Sequence, residues 1–210
     1  WKMIKDKKVG DQAEKISKVG YQCENWMPAI IPGTALNSLV YNKVYPEPYY
    51  GLNNKIGKSV IPDLNDVGRD FYTYWFRTEF NLPKEYEGQR VWMQLNGINY
   101  RAEVWLNGVM VGNMAGMFKP ACIDITDFAH IDNMNALAIK VYPLDIPGGT
   151  KTKQWGAANG EYRNGGDGNI GLNVTMLMSA GWDFTFNDGV RDRNTGIWKD
   201  IQIFATGKAL

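Results

Sequence analysis

The sequence predicts an all-β protein, a jelly-roll β-sandwich with one short helix and one long loop. Short runs of alternating apolar and polar residues recur at even spacing and are joined by tight turns, as in two-sheet sandwiches. Aromatic residues make up 13% of the 210 residues and glycines number 23, a mixture typical of turn-rich β structure. An Asn-Gly pair at 107–108 separates two such runs, and this pair is the preferred turn of a two-residue hairpin.

The first part of the chain contains few clear strands. Residues 1–4 and 15–19 are short lysine-rich runs, for which we predict edge strands. The Pro-Gly-Thr motif at 32–34 makes a turn, and Thr34 is placed to cap a short helix that ends near Asn42. The apolar face of that helix is formed by Ala35, Leu36, Leu39 and Val40.

The next region leads into the first long strand. Two prolines predict an extended path over residues 46–53, in which we assign Tyr49 and Tyr50 to packing. A single helical turn is predicted over 62–67. The clearest early strand lies within 68–83, where rings occupy both faces, as expected inside a sandwich.

Alternation continues through the second half of the chain. It predicts strands over 91–95, 102–106, 109–111, 117–125, 136–142 and 198–204. Between about 143 and 181 this alternation stops for nearly forty residues rich in Gly and Asn. Loops of this length inside a compact β domain are generally functional or disordered, and we expect this one to be functional. We expect residues 1–210 to form one domain.

Composition excludes several classes of function. The charges are 23 Lys and Arg against 22 Asp and Glu, so we expect neither a nucleic-acid partner nor an anionic membrane. No apolar run approaches the roughly 20 residues that span a bilayer. Cys23 and Cys122 have no metal-ligand spacing, so we predict no zinc site and leave a disulfide between them open. The only histidine, His130, follows a turn without a nucleophile nearby and is assigned to the surface.

Three motifs in the long loop and its flank are weak. Residues 166–171 match GxGxxG, but no strand precedes them, so we do not expect dinucleotide binding. The oxygens of Asp167 and Asn169 offer a minor possibility of a structural calcium ion, with a solvated loop as the preferred interpretation. We therefore predict no cofactor. Residues 173–175 form an N-glycosylation sequon, meaningful only in a protein secreted by a eukaryote.

The stretch 181–204, GWDFTFNDGVRDRNTGIWKDIQIF, organises the end of the chain. A polar loop leads into an alternating run that predicts the last strand. At its start, Trp182 and Asp183 combine a ring and a carboxylate, the usual means of holding a sugar, since the ring covers the C–H face and the acid accepts hydroxyls. The alternative is a core tryptophan beside a turn aspartate.

The motifs of this chain resemble those at the front of family-two glycoside hydrolases. GWDF followed by DRNTGIW resembles the end of the N-terminal domain in the branch of endo-β-mannosidases, β-mannosidases and exo-β-glucosaminidases. The motifs YWFRTEFNLP, GINYRAEVWLNGVMVG, GMFKP, DIT and NALAIKV, in this order, resemble the galactose-binding-like jelly roll of family-two glycosidases as a whole. GRDFYTYWF together with GGDGNIG and DRNTGIW resembles the endo-mannosidase-like branch. The chain departs from the pattern at Phe184, where a second Trp is usual, and in lacking the proline that normally follows.

This resemblance implies a role for the predicted site. In the family, the Trp-Asp pair lines the pocket for the non-reducing sugar of a β-linked substrate, which assigns substrate binding to Trp182 and Asp183. Tyr49 and Tyr50 have sugar contact as a second possibility. We interpret Asp192, Arg193 and Asn194 as a hydrogen-bonded brace of the loop, because polar clusters beside turns usually serve the backbone.

The resemblance also implies where the chemistry occurs. The two catalytic glutamates of the family lie in a later barrel domain, and these 210 residues contain no counterpart, so we expect the chain itself to be inactive. We expect barrel and immunoglobulin-like domains downstream. The alternative is a self-standing carbohydrate-binding module for targeting or adhesion. Since the chain opens on Trp1, we expect a periplasmic or secreted protein whose signal peptide has been removed.

Overall fold

In the part of the chain that the structure describes, the strands form three antiparallel sheets, and the two larger ones face each other as a sandwich. The computed structural model describes residues 1–53, 59–145, 173, 175 and 193–207. Its strands are β1 (Lys2–Lys5), β2 (Met27–Pro28), β3 (Gly33–Thr34), β4 (Tyr74–Asn81), β5 (Arg90–Leu95), β6 (Arg101–Leu106), β7 (Val109–Ala115), β8 (Ala121–Asp124), β9 (Met134–Tyr142), β10 (Gly196–Ile197) and β11 (Ile201–Thr206). Its helices are α1 (Ala13–Ile16), α2 (Ala35–Tyr41) and α3 (Leu64–Val67), with 3-10 turns at Asp6–Lys8, Arg69–Tyr72 and Lys84–Tyr86.

The larger sheet has the strand order β2-β1-β4-β9-β6-β7, and the smaller one β11-β5-β8. β10 and β3 form a two-stranded sheet that joins the end of the chain to its first third. The core lies where alternate residues of β4, β5, β6 and β9 meet between the sheets. Its largest fully buried side chains from these strands are Tyr74, Phe76, Met93, Leu95 and Leu106. The predicted β-sandwich is therefore confirmed.

The outer face of the six-stranded sheet is also covered. Trp75 of β4 and Ala138 of β9 point away from the sandwich core and pack against Ile16 and Trp26 of the N-terminal segment. This second cluster explains why rings occupy both faces of β4, as the sequence predicted. It also places Arg77, two residues after Trp75, beneath the N-terminal segment.

The hairpin at Asn107-Gly108 is confirmed. The φ angles are +52° at Asn107 and +91° at Gly108, the left-handed conformations that a type I′ turn needs at both central positions. The side chain of Asn107 donates to the Phe128 carbonyl at 2.7 Å and accepts from the Ala136 amide at 2.9 Å. The turn is thus stabilised by hydrogen bonds to Phe128 and Ala136 as well as by its local conformational preference.

The helix after Pro32 is confirmed as well. The Thr34 hydroxyl accepts from the Asn37 amide at 3.1 Å, which is the predicted N-cap, and Asn42 is the C-cap. Its buried face consists of Ala35, Leu36, Ser38 and Leu39, while Val40 is only half-buried. The predicted turn over 62–67 corresponds to α3.

Two predictions near the N-terminus are wrong. Residues 15–19 do not form a strand, because Ala13–Ile16 makes one helical turn that buries Ile16 against Trp26 and Trp75. β1 is not an edge strand, since it pairs with β2 on one side and β4 on the other. The edge is the two-residue β2, which ends at a proline.

The assignments within residues 46–53 are also wrong. The segment contains consecutive turns, in which the Tyr50 amide bonds the Glu47 carbonyl at 3.2 Å and the Asn53 amide bonds the Tyr50 carbonyl at 3.2 Å. Tyr49 and Tyr50 are 70% and 77% exposed, so packing is not their role.

Two strand boundaries differ from prediction. The 117–125 strand is reduced to β8, because Gly116 has a positive φ and Pro120 lacks an amide donor. The strand predicted over 198–204 corresponds to β11, which begins only at Ile201. Before it, the indole N–H of Trp198 donates to the Met117 carbonyl at 3.0 Å. Gly97 faces that indole, since a Cβ at Gly97 would lie 2.7 Å from the ring nitrogen.

The remaining single-residue expectations concern thiols and the histidine. Cys23 and Cys122 are both free, so the possible disulfide is not formed. His130 is exposed. None of the helices in the described ranges combines the length and apolar character needed to cross a bilayer.

Candidate functional site

The candidate site is carried by the long segment between β9 and β10, and the structure describes both of its ends. Trp182, Asp183 and Asp192 lie outside the described residues, as do residues 166–171 with Asp167 and Asn169. Of the predicted site residues, Arg193 and Asn194 are described. The contacts of the two ends therefore define where the segment leaves the sandwich and where it returns.

Asp145 fixes the outgoing end, three residues after β9. Its Oδ1 accepts from Arg69 Nη2 at 2.9 Å and from Arg101 Nε at 2.7 Å, and its Oδ2 forms an ion pair with Arg101 Nη2 at 2.5 Å. Arg69 Nε also donates to the Leu144 carbonyl at 2.8 Å. One carboxylate between two guanidinium groups thus joins three separate parts of the chain at this point.

These contacts change the acidity of Asp145. The hydrogen bonds from Arg101 hold the pKa of the Asp145 carboxyl below its ordinary value, and the charges of Arg101 and Arg69 add to this effect, while partial burial opposes it. The carboxyl side chain is 24% exposed, so the pair is only partly shielded from water. Asp145 is therefore ionised at neutral pH and acts as a permanent acceptor.

Arg193 fixes the returning end. It is 2% exposed, its Nη1 donates to the Ile61 carbonyl at 2.9 Å, and its Nε lies 3.8 Å from Asp63 Oδ1. A buried guanidinium is tolerated only when its charge and its donors are satisfied. These contacts are those expected of a bracing residue, and the bracing role remains a prediction.

The backbone after Arg193 is held by the sandwich itself. The Asn99 side-chain amide donates to the Asn194 carbonyl at 2.9 Å. The Thr195 carbonyl accepts from the Ala35 amide at 2.7 Å, which satisfies one of the free N–H groups at the start of α2. Gly196 exchanges two 2.9 Å backbone hydrogen bonds with Asn99. The return path is therefore fixed residue by residue.

Both ends are bonded to the same short stretch, residues 59–72, which we call the frame segment. Arg69 binds the outgoing end, while Ile61 and Asp63 bind the returning end. The segment is itself well held, because the Tyr72 hydroxyl donates to the Pro62 carbonyl and Leu64 lies in the core. Burial of Tyr72, the main effect, raises the pKa of its hydroxyl far above the ordinary value, so it stays protonated and donating.

Sequence reasoning did not predict the contacts of Asp145 with Arg69 and Arg101. Arg69, Arg101 and Asp145 belong to different elements separated by up to 76 positions, and no short motif links them. The available signal was the position of Asp145 three residues after a predicted strand, at the start of the long loop. Arg193 and Asn194 were assigned a bracing role because they stand within the DRNTGIW motif, and that role stays a prediction.

The described residues suit positioning better than catalysis. Among them, no group of three or more His, Cys, Asp or Glu side chains could hold a metal ion. The charged groups near the loop ends are committed to ion pairs and backbone carbonyls. What this arrangement can do is hold a long segment at one fixed place on the sandwich.

Known proteins resemble this chain in sequence. The profile of the family described as glycosyl hydrolase 2 galactose-binding domain-like matches residues 1–199. The mannosylglycoprotein endo-beta-mannosidase of Lilium longiflorum is 42% identical over 182 residues, covering 87% of this chain and 18% of that protein. The beta-mannosidase of Rattus norvegicus is 26% identical over 191 residues, covering 85% of this chain and 19% of that protein.

Known structures show the same fold. The crystal structure of the Amycolatopsis orientalis exo-chitosanase superposes with a TM-score of 0.66 at 21% identity, covering 99% of this chain and 20% of that chain. At this identity the likeness concerns the fold. The chain thus spans about a fifth of the length of the proteins that it matches.

Proposed function

Because this chain belongs to the galactose-binding-like domain family of glycosyl hydrolase family 2, we propose that it works as the non-catalytic N-terminal domain of a retaining β-glycosidase. The observation that carries this proposal is the 42% identity to the lily endo-beta-mannosidase over 87% of the chain. The chain covers only 18% of that enzyme, which leaves room for catalytic machinery elsewhere in the polypeptide. The catalytic domain is proposed to be a barrel that follows this one.

The contribution of this domain is a loop that completes the substrate pocket. The proposal is supported by the contacts of Asp145 with Arg69 and of Arg193 with Ile61, which attach both ends of the segment that contains Trp182 and Asp183 to the frame segment. A binding group must be held within a fraction of an ångström to favour a transition state. Fixing both ends to residues 59–72 provides such a base for the segment.

The substrate class follows from the relatives. Those that match 85% of the chain or more include an endo-beta-mannosidase and a beta-mannosidase, and an exo-beta-D-glucosaminidase matches 70% of it. We propose that the substrates of the full-length protein are β-linked mannosides or glucosaminides, in preference to galactosides. Trp182 would cover the apolar face of the sugar ring and Asp183 would accept hydrogen bonds from its hydroxyls.

The test replaces Asp183 by Asn in the full-length protein. A carboxylate that accepts hydroxyls in a dehydrated pocket contributes about 1.5–3 kcal/mol per bond. We therefore expect kcat/KM on the natural substrate to fall about tenfold to several hundredfold, with the melting temperature nearly unchanged.

The matched control is Asp127→Asn, which changes an exposed aspartate in the turn after β8 and should alter neither quantity. If Asp183→Asn kept the wild-type kcat/KM, the site assignment would be withdrawn and Trp182 treated as a core residue.

A further inference from the structure

A polar cavity lies on the outer face of the six-stranded sheet, beneath the N-terminal segment. Its volume is about 420 Å³ and its lining comes from residues 1–2, 20–23 and 77–79. Small-molecule sites typically enclose roughly 300–1,000 Å³, so this cavity is large enough for one sugar ring. Residues 77–79 lie toward one end of β4. The long loop begins near the other end, where Tyr74 pairs with Val141.

The floor of the cavity contains a buried cation with unused donors. The Arg77 side chain is 7% exposed. Its Nε donates to the Ile16 carbonyl at 2.8 Å, and its Nη2 donates to the Lys18 carbonyl at 2.7 Å and to Glu79 Oε1 at 2.5 Å. Among the described residues nothing accepts from Nη1, so two N–H groups remain for a ligand.

An unused acceptor lies beside these donors. Glu79 Oε1 accepts from Arg77 and from the Gly20 amide at 2.8 Å, which fixes the orientation of the carboxylate. Within the described part of the chain, Oε2 receives no hydrogen bond, and the side chain is 29% exposed. The guanidinium and the carboxylate are therefore joined and fixed in orientation, and together they can offer a donor and an acceptor to the hydroxyls of a ligand.

An aromatic wall stands next to this polar floor. The Tyr21 hydroxyl donates to Asp11 Oδ2 at 3.0 Å, and its ring packs edge-on against Trp26 with centroids 6.2 Å apart. The ring centre lies 5.7 Å from the Arg77 guanidinium carbon. Trp1 lines the same cavity and is half-buried. Rings held in this way offer an apolar face at little entropic cost to binding.

From these features we propose that the cavity binds a neutral pyranoside, with Arg77 and Glu79 bonding adjacent hydroxyls and Tyr21 contacting the ring. An anionic ligand fits less well, because Glu79 already neutralises Arg77 and its free oxygen would repel a second carboxylate. The site is new relative to the pocket assigned to Trp182 and Asp183. The proposal rests on the proposed function only for its choice of sugar.

The experiment measures binding to the whole chain by NMR. Amide and indole resonances are followed during titration with methyl β-D-mannopyranoside and, separately, with methyl N-acetyl-β-D-glucosaminide, which are both neutral. We expect saturable shifts at residues 20–23 and 77–79 and at the Trp1 indole, for at least one of the two sugars. An absence of saturable shifts, or shifts clustered on other residues, would overturn the proposal.

Two variants test the assigned contacts. Glu79→Gln keeps the size of the side chain but removes the carboxylate, and Tyr21→Leu removes the ring. Each should weaken binding about tenfold, the loss of one good contact, while unchanged resonances elsewhere show that the fold is kept. The control Glu85→Gln, at an exposed position outside the cavity, should bind as the wild type does. Full affinity in either cavity variant rejects the site.

The two proposals can fail separately, because this experiment reads binding and not hydrolysis. A full-length protein that cleaves no β-mannoside or glucosaminide, but whose chain binds sugar in this cavity, would refute the proposed function and leave the cavity site standing. Normal cleavage by the full-length protein without sugar binding in this cavity would refute the cavity site and leave the proposed function standing.

Discussion

At the scale of single residues, Gly196 is where the returning chain is most tightly confined. Its φ is +153°, and a Cβ there would lie 2.7 Å from Thr34 Cα, 2.8 Å from the Gly33 carbonyl oxygen and 2.9 Å from the Ala35 amide nitrogen. These neighbours are backbone atoms, which cannot move aside cheaply. We predict that Gly196→Ala lowers the free energy of unfolding by about 2–4 kcal/mol.

Thermal or denaturant unfolding checks this value against a matched glycine. Gly207→Ala has nothing within 4 Å of the added Cβ and should change stability by less than about 0.5 kcal/mol. Equal melting temperatures for the two variants would show that the return path is less confined than the structure indicates.

Asp145 predicts a pH dependence of stability. Its pKa is lowered in the folded state, chiefly by the hydrogen bonds from Arg101. Its contribution is therefore complete above the unfolded carboxyl pKa of about 3.9, and is lost as the pH falls through the lower folded value. We expect Asp145→Asn to be about 1 kcal/mol less stable than the wild type at neutral pH.

The two stabilities should converge as the pH falls below the ordinary carboxyl pKa of about 3.9. Urea unfolding of both proteins across this range measures the difference directly. A gap that stayed constant on acidification would mean that the Asp145 carboxylate is not responsible for it.

At the scale of elements, the frame segment joins both ends of the long loop. Arg193→Ala would leave the Ile61 carbonyl and the Asp63 carboxylate, whose side chain is 12% exposed, without this partner. Removing one member of a buried charged pair costs about 3–5 kcal/mol. We predict a loss of stability of that size, measured by denaturant unfolding.

A double-mutant cycle with Asp63→Asn isolates the Arg193–Asp63 contact, because additivity fails only for residues that interact. Arg90→Ala is the control, since Arg90 makes a surface pair with Asp124 at 3.8 Å and is 65% exposed. It should cost less than about 1 kcal/mol. Strict additivity of Arg193→Ala and Asp63→Asn would contradict direct coupling.

Elements with strong local signals were predictable from the sequence. The Asn107-Gly108 turn needs left-handed conformations that Asn and Gly supply locally, and Thr34 caps α2 through a contact three residues away. The strand predicted over residues 15–19 is wrong because a run of five residues fits both the helical and the strand period. Burial of Ile16 against Trp75 favours the helical turn. Nothing local could have decided that case.

The candidate site was predictable only in part, for the same reason. Arg193 and Asn194 stand in a recognisable motif, but their partners at Ile61 and Asn99 are 132 and 95 positions away. The ion pairs of Asp145 with Arg69 and Arg101 form only because the ends of β4, β6 and β9 lie close together. Such contacts follow from the sheet order, which short-range patterns do not specify.

At the scale of the whole molecule, we predict that the purified chain does not hydrolyse aryl β-mannosides or β-glucosaminides. The pocket is proposed to form between two domains, so one wall alone leaves most of a ligand in water. The measurement is release of the aryl group by the chain, compared with the full-length protein under the same conditions. Turnover by the chain alone would refute the division of labour proposed above.

The pairing of β10 with β3 and of β11 with β5 has a consequence for how the chain acquires its fold. Gly196 pairs with Thr34, and Ile201 pairs with Leu95. The last strands therefore pair with residues more than a hundred positions earlier in the sequence. Contacts this distant in sequence slow folding. In the described part of the chain β5 pairs with β8 and β11, so one edge of β5 stays open during synthesis until residues 201–206 leave the ribosome. An open strand edge exposes unpaired backbone groups, and we expect a chaperone to act there.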